Sequence, residues 1–160
     1  METAKLWRDW RINLVSCVPG FRVRMRARTP STDYDLYCAV EGPTFDFRSD
    51  LGRYFLCEAK DWTNPVDVTT VHKFGGVLRA AKCPFGIIFS RKGLSGQDRN
   101  RDAERELLKI NQEGATTIIS ISEVELNEIG SGANFFSLLR DLYEQEHLDL
   151  PRTSRKSLVK

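Results

Sequence analysis

Several features that mark particular protein classes are missing from this sequence of 160 residues. No apolar run approaches the roughly 18 residues that a membrane-spanning helix needs, and no basic stretch followed by an apolar one opens the chain as a secretion signal would. Internal repeats and low-complexity segments are also absent. We therefore expect a cytoplasmic protein with no membrane partner.

Cysteine is sparse and widely spaced. The chain has four cysteines, and no two of them have the short spacing of a structural zinc site. Cys38 and Cys57 stand inside apolar runs, where an unoxidised cysteine behaves as a small core residue. We therefore expect reduced thiols without a disulfide or structural metal, in agreement with a cytoplasmic location.

An excess of charge of one sign is also missing. The chain has 24 Lys and Arg against 22 Asp and Glu, so any site for a polyanion must be local. The length and a hydrophobic content of 41% fit one domain with a single core. We assign this domain to residues 1–150, and we expect residues 151–160, which have no core-forming pattern, to be a disordered tail or the start of a linker.

Hydrophobic periodicity predicts helices and strands that alternate along the chain. A helix over residues 3–15 precedes three strands, and the first strand, "FRVRMRAR", alternates apolar residues with arginines. Two buried strands, "FGIIFS" and "ATTIISI", are then separated and flanked by amphipathic helices, and Ser122 and Glu125 form a capping-box pattern. Crossover helices imply parallel strands, whereas a hairpin is antiparallel. We therefore predict a mixed sheet with helices on both faces.

The third predicted strand, "YFLCEAKDW", carries two charged residues in an apolar run. Glu58 and Lys60 project to the same face, about 6 to 7 Å apart along the strand. Asp33 and Asp35 share a face of the preceding strand, and a hairpin can bring one of them opposite Glu58. Facing carboxylates repel unless a cation lies between them, and Mg²⁺ suits such an all-oxygen site. The structural alternative is an ion pair of Lys60 with Glu58, with Asp35 capping a turn.

The stretch "TDYDLYCAVEG", followed by "YFLCEAKDW", resembles the PD-(D/E)xK nuclease superfamily, whose fold is that of type II restriction endonucleases. Downstream, "VHKFGGVLRAAKCPFGIIFSRKGLSG" is similar to the helix and strand that follow the active-site strand in Mrr-like restriction endonuclease domains. The resemblance implies a restriction endonuclease-like three-layer α/β/α domain with a central mixed β-sheet flanked by helices. An E-x-K tripeptide alone is common, so its placement at the end of an apolar strand carries the resemblance.

The resemblance implies a Mg²⁺-dependent endodeoxyribonuclease that hydrolyses phosphodiester bonds with a metal-activated water. Asp35 and Glu58 would hold Mg²⁺ together with the backbone carbonyl of Ala59, and Lys60 would position the nucleophile. Asp33 is the alternative to Asp35, because both lie on the same face of the strand. No proline immediately precedes Asp35, which departs from the family's pattern. Mn²⁺ is expected to substitute for Mg²⁺. Relatives serve in defence against foreign DNA or in DNA processing.

Other residues are candidates for contact with nucleic acid, each with a plainer structural alternative. They lie on the arginine strand, after the E-x-K motif and in a basic loop: Arg22, Arg24, Arg26, Trp62, His72, Arg91 and Lys92. The alternatives are a solvated strand face, packing of the tryptophan, a structural histidine and a surface loop. Asp9 is the candidate for the acid that many relatives carry on the first helix.

The expected partner is double-stranded DNA. Because two cuts in a duplex usually need two active sites, a homodimer is one expected form, and further domains of a larger parent protein are another. Two other functions stay open: a catalytically silent nuclease-like module that binds nucleic acid or a protein, and an RNA-cleaving effector on the same fold.

Overall fold

The computed structural model describes residues 2–25, 34–42, 46–60, 63–95 and 102–148, so the candidates Asp33, Arg26 and Trp62 and the expected tail lie outside the described residues. Within these ranges the elements are α1 Glu2–Ser16, β1 Phe21–Met25, β2 Leu36–Val40, a short 3-10 helix Phe47–Ser49, β3 Tyr54–Lys60, α2 Val68–Ala80, β4 Phe85–Ser90, α3 Asp102–Gln112, β5 Thr117–Ile121, α4 Glu123–Gly130 and α5 Phe135–His147.

The five strands form one mixed sheet in the order β1-β2-β3-β4-β5. β1 pairs with β2 and β2 with β3 in antiparallel fashion, whereas β3, β4 and β5 are parallel. The parallel pairs follow from the crossovers through α2 and α3, which return the chain to the same end of the sheet. The prediction of a mixed sheet is confirmed.

One face of the sheet packs against α1 and α5. The inward residues of the strands alternate along the chain as the pleat requires. This core contains the following buried residues, among others: Val15, Phe21, Cys38, Phe55, Cys57, Phe85, Ile87, Phe89, Ile119, Leu138 and Leu139. Burying each large apolar side chain contributes about 1.5 to 3 kcal/mol, so this layer is a main source of stability.

The opposite face packs against α2 and α3 over the parallel half of the sheet. Its buried core includes Leu56, Val71, Phe74, Leu78, Ile88, Leu107, Ile110 and Ile118. The prediction of helices on both faces is therefore confirmed. Asp67 is the N-cap of α2, and its side chain accepts a hydrogen bond from the backbone N–H of Thr70. The capping box predicted at Ser122 and Glu125 is present at the start of α4.

All four cysteines are free, and Cys38, Cys57 and Cys83 are buried. Burial raises the pKa of the Cys38 thiol to about 12, and it also raises the pKa of Cys83. These thiols therefore act as apolar core groups. In the described part of the chain, no helix is long and apolar enough to span a membrane.

Two adjacent glycines of α2 offer a matched test of helix packing. A Cβ at Gly75 would lie 2.7 Å from Ile110 Cδ1, whereas a Cβ at Gly76 would meet no described heavy atom within 4 Å. Gly76→Ala should stabilise the protein by about 0.5 to 1 kcal/mol through helix propensity. Gly75→Ala should be less stable than Gly76→Ala by about 1 to 3 kcal/mol because it overpacks the contact with α3. Urea unfolding measures both, and equal stabilities would contradict this packing.

Thiol reactivity tests the burial of the cysteines. Cys17 is exposed, so it should react first with a chromogenic disulfide reagent at about pH 8. Cys38 should stay unreacted because its raised pKa keeps the thiol protonated well above that pH. Cys57 and Cys83 should react only after unfolding in urea. Rapid reaction of more than one thiol in the native protein would contradict the described core.

Candidate active site

The carboxyl end of β3 opens into a cleft beneath the start of α2. β3 lies parallel to β4, with Lys60 paired opposite Ser90, and α2 begins a few residues after β3 ends. The cleft has a volume of about 240 Å³ and is lined by Glu58, Lys60, Asp67, Thr69, Thr70, Lys73 and Phe74. Clefts at the carboxyl ends of parallel strands are common ligand sites in α/β proteins.

Glu58 and Lys60 lie side by side in this cleft. The Lys60 Nζ atom is 2.6 Å from Glu58 Oε1, and the two side chains are only 24% and 15% exposed. They share a face of β3 because alternate residues of a strand point the same way. The pair brings an ammonium group and a carboxylate together in a partly desolvated cleft. Both a catalytic site and a purely structural ion pair would have this arrangement.

Asp35 makes two hydrogen bonds to the backbone of β3. Its backbone N–H donates to the Cys57 carbonyl over 3.2 Å, and its Oδ2 atom accepts from the Ala59 N–H over 3.0 Å. β2 begins at Leu36, which pairs with Cys57, so Asp35 lies just before the strand rather than on it as predicted. The Asp35 carboxylate is therefore held against the backbone of the E-x-K motif at Ala59.

A buried arginine on α1 was missed by the sequence analysis. The Arg11 side chain is 8% exposed, and its Nη1 atom is 3.8 Å from Asp35 Oδ2. Asp9, the predicted first-helix acid, is exposed, and residues two apart on a helix point to nearly opposite sides. Among the α1 side chains that the structure describes, a cation therefore lies beside Asp35. A lone arginine in a helix gives no signal of this role, because most such residues are solvent-exposed.

Two further charged residues of the cleft, Asp67 and Lys73, had no sequence signal. The pKa of Asp67 is lowered chiefly by hydrogen bonds from the hydroxyl and backbone N–H of Thr70, with a smaller contribution from the Lys60 cation. Lys73 lies on the next turn of α2 and lines the same cleft. They lie near Glu58 because α2 packs back over β3, and no local sequence pattern predicts this packing.

The other predicted contacts lie elsewhere. The His72 Nδ1 atom is 2.7 Å from Glu106 Oε1 on α3, and its side chain is 68% exposed. Arg91 and Lys92 line a separate cavity of about 450 Å³ beside the start of α4. Arg22 and Arg24 are exposed on β1. Of the predicted residues, the structure brings together Asp35, Glu58, Ala59 and Lys60.

The oxygen donors at this place suit a hard divalent cation. No group of three His, Cys, Asp or Glu side chains suited to a metal occurs among the described residues. Mg²⁺, however, commonly binds through one or two carboxylates, with water and substrate oxygens completing its shell. Asp35, Glu58 and the Ala59 carbonyl have this chemistry, although Arg11 and Lys60 already accompany the two carboxylates.

Comparisons with protein-family models, with curated proteins and with solved structures found no match to this chain. Support for a function therefore comes from the residues of the cleft and their contacts.

The Arg11 contact can be tested by a double-mutant cycle. Arg11→Met should lower the free energy of unfolding by about 1 to 2 kcal/mol, less than for a fully buried pair, because Asp35 is 41% exposed. Asp9→Ala should change it by less than about 0.5 kcal/mol. Urea unfolding of Arg11→Met, Asp35→Ala and the double variant should give a coupling energy above about 0.5 kcal/mol. Additive effects would show that the two residues do not interact.

Proposed function

We propose that this protein is a metal-dependent endonuclease with a restriction endonuclease-like fold that hydrolyses phosphodiester bonds in DNA. The observation that carries the proposal is the attachment of Asp35 to the backbone of the E-x-K motif at Ala59, beside the Glu58–Lys60 pair. The helix and strand that the resemblance expects behind the motif correspond to α2 and β4. Defence against foreign DNA or DNA processing is the corresponding biological role.

The proposed metal ligands are Asp35, Glu58 and the Ala59 carbonyl. Bound Mg²⁺, or Mn²⁺ in its place, would supply an acidified water and would stabilise negative charge on phosphate oxygens. The Lys60 ammonium has three donors and can orient a water or a phosphate oxygen next to Glu58. Lys73 offers a second cation within the same cleft. Positioning and charge stabilisation are the main catalytic contributions to phosphoryl transfer.

The competing function is a silent module that uses the same residues only for structure. A purely structural ion pair would give the same short Lys60–Glu58 contact. Against it, ion pairs with low exposure stabilise proteins weakly, because desolvation offsets much of the attraction. An ion pair in the cleft, next to an aspartate bonded to the backbone of the same motif, is therefore better explained by chemistry than by stability.

Cleavage assays test the nuclease proposal. Supercoiled plasmid, linear duplex, single-stranded DNA and single-stranded RNA should be incubated with Mg²⁺, Mn²⁺ or EDTA. We expect metal-dependent cleavage of DNA, and losses on the order of 100-fold or more for Asp35→Ala, Glu58→Gln and Lys60→Met. Glu113→Gln and Lys109→Met are matched controls, because both residues are exposed and lie outside the cleft, Lys109 on α3 and Glu113 directly after it.

The outcomes separate the alternatives. Cleavage that persists in EDTA, or in all three variants Asp35→Ala, Glu58→Gln and Lys60→Met, would overturn the mechanism. Cleavage of RNA alone would favour the RNA-directed effector. Calorimetric titration with Mn²⁺ provides a second readout, and binding that is lost in Asp35→Ala but kept in Asp33→Ala would identify Asp35 as the ligand. Metal binding without cleavage of any substrate would favour the silent module.

A further inference from the structure

Half of one sheet face carries exposed arginine and tyrosine side chains. The register aligns Arg24, Tyr37 and Leu56 in one row across β1, β2 and β3, and it aligns Arg22, Ala39 and Tyr54 in the next. Residues in the same row of neighbouring strands point to the same face. This is the face that α2 and α3 cover over the parallel strands, since Leu56 belongs to their core.

We define the tyrosine–arginine face as the set Arg22, Arg24, Tyr37 and Tyr54, together with Arg53 at its edge, whose guanidinium lies near the Tyr54 ring. Tyr54 is 43% exposed, and the side chain of Arg22 is 58% exposed. Arg24 and Arg53 are also exposed, and Tyr37 is half-buried. An exposed tyrosine on a strand, with arginines beside it, indicates a binding surface more strongly than a single exposed apolar residue does, because its ring can still contact a partner.

The two tyrosines form a small aromatic platform. Their ring centroids are 6.3 Å apart with an interplanar angle of 72°, so the rings present surfaces of different orientation. The Arg53 guanidinium carbon is 5.8 Å from the centroid of the Tyr54 ring. Arg22 pairs with Glu41 over 2.7 Å, but both side chains are largely exposed. Such surface pairs are weak, so a phosphate can replace the carboxylate at low cost.

The tyrosine–arginine face runs into the candidate active site. Tyr37 pairs opposite Leu56, and Glu58 follows Leu56 by two residues on the same face of β3. This separation corresponds to about 7 Å along the strand. Lys60 follows two residues later, at the end of β3. A polymer that lies on the two tyrosines therefore needs only about one further nucleotide to reach Glu58 and Lys60.

We propose that the tyrosine–arginine face binds an unpaired strand of nucleic acid and directs its backbone to Glu58 and Lys60. Alternating cations and aromatic rings bind single strands well, because every unpaired base has a face that can stack. In a duplex those base faces are already stacked, so the two tyrosines would contribute little. The proposal rests on the proposed nuclease function for the identity of the polymer, and it specifies the strandedness of the substrate at this face.

Binding measured without cleavage tests the proposal. The full chain in EDTA should be titrated against a fluorescein-labelled oligothymidine of about 15 nucleotides by anisotropy. Tyr37→Leu and Tyr54→Leu should each weaken binding by about 5- to 100-fold, whereas Tyr54→Phe should retain it. Arg24→Gln should lower the salt dependence of log Kd by about 0.7. Arg140→Gln on α5, which packs against the opposite face, is the control and should bind as the natural sequence does.

Competition with a blunt duplex of the same length completes the test. The duplex should compete poorly, and its weaker binding should be insensitive to Tyr54→Leu. Equal loss of duplex and single-strand binding in the tyrosine variants, or no loss in any folded variant, would overturn the proposal while leaving the nuclease function untouched. Conversely, tyrosine-dependent single-strand binding by a protein that cleaves nothing would support this face and refute the nuclease. Urea unfolding of each variant verifies that it is folded.

Discussion

Charges on the central strand must be paired, and the arrangement of the cleft depends on this constraint. β3 is the middle strand of the sheet and lies between two helix layers. Alternate residues of β3 enter different cores, Phe55 and Cys57 on the α1 and α5 side and Leu56 on the α2 and α3 side. Glu58 is on the same side as Leu56, so its charge is tolerated only where the cover of α2 and α3 ends. There Lys60 neutralises it. The buried middle of β3 would not tolerate such a pair, whereas its carboxyl end does.

The same constraint explains why cations reach the two carboxylates from different directions. Arg11 comes from α1 to Asp35, and Lys60 comes from β3 itself to Glu58. Each carboxylate thus has a cationic side chain beside it before any metal binds. Under the proposed function, a divalent cation would compete with Arg11 and Lys60 for the two carboxylates. A polyanionic substrate would attract these two side chains, and the metal would therefore bind more readily when substrate is present.

The sequence predicted the elements and the central motif well, because both depend on local patterns. β3 and β4 begin and end where their apolar runs do, and the alternation of β3 placed Glu58 and Lys60 together. Arg11 and Lys73 were not predicted, since each enters the site through packing of a helix on the sheet rather than through spacing. The sequence likewise did not predict that Glu106 of α3 contacts His72, which was a candidate for contact with nucleic acid. Tertiary neighbours of this kind have no local signature.

The open sheet face and the cleft have a common origin in the strand topology. Parallel strands need crossover connections, and the crossover helices α2 and α3 cover the face above β3, β4 and β5. Antiparallel β1, β2 and β3 need only short connections, so their part of this face retains exposed arginines and tyrosines. β3 belongs to both halves and carries Glu58 at the boundary. A mixed sheet of this order therefore brings an exposed binding surface and a helix-covered cleft together on one strand.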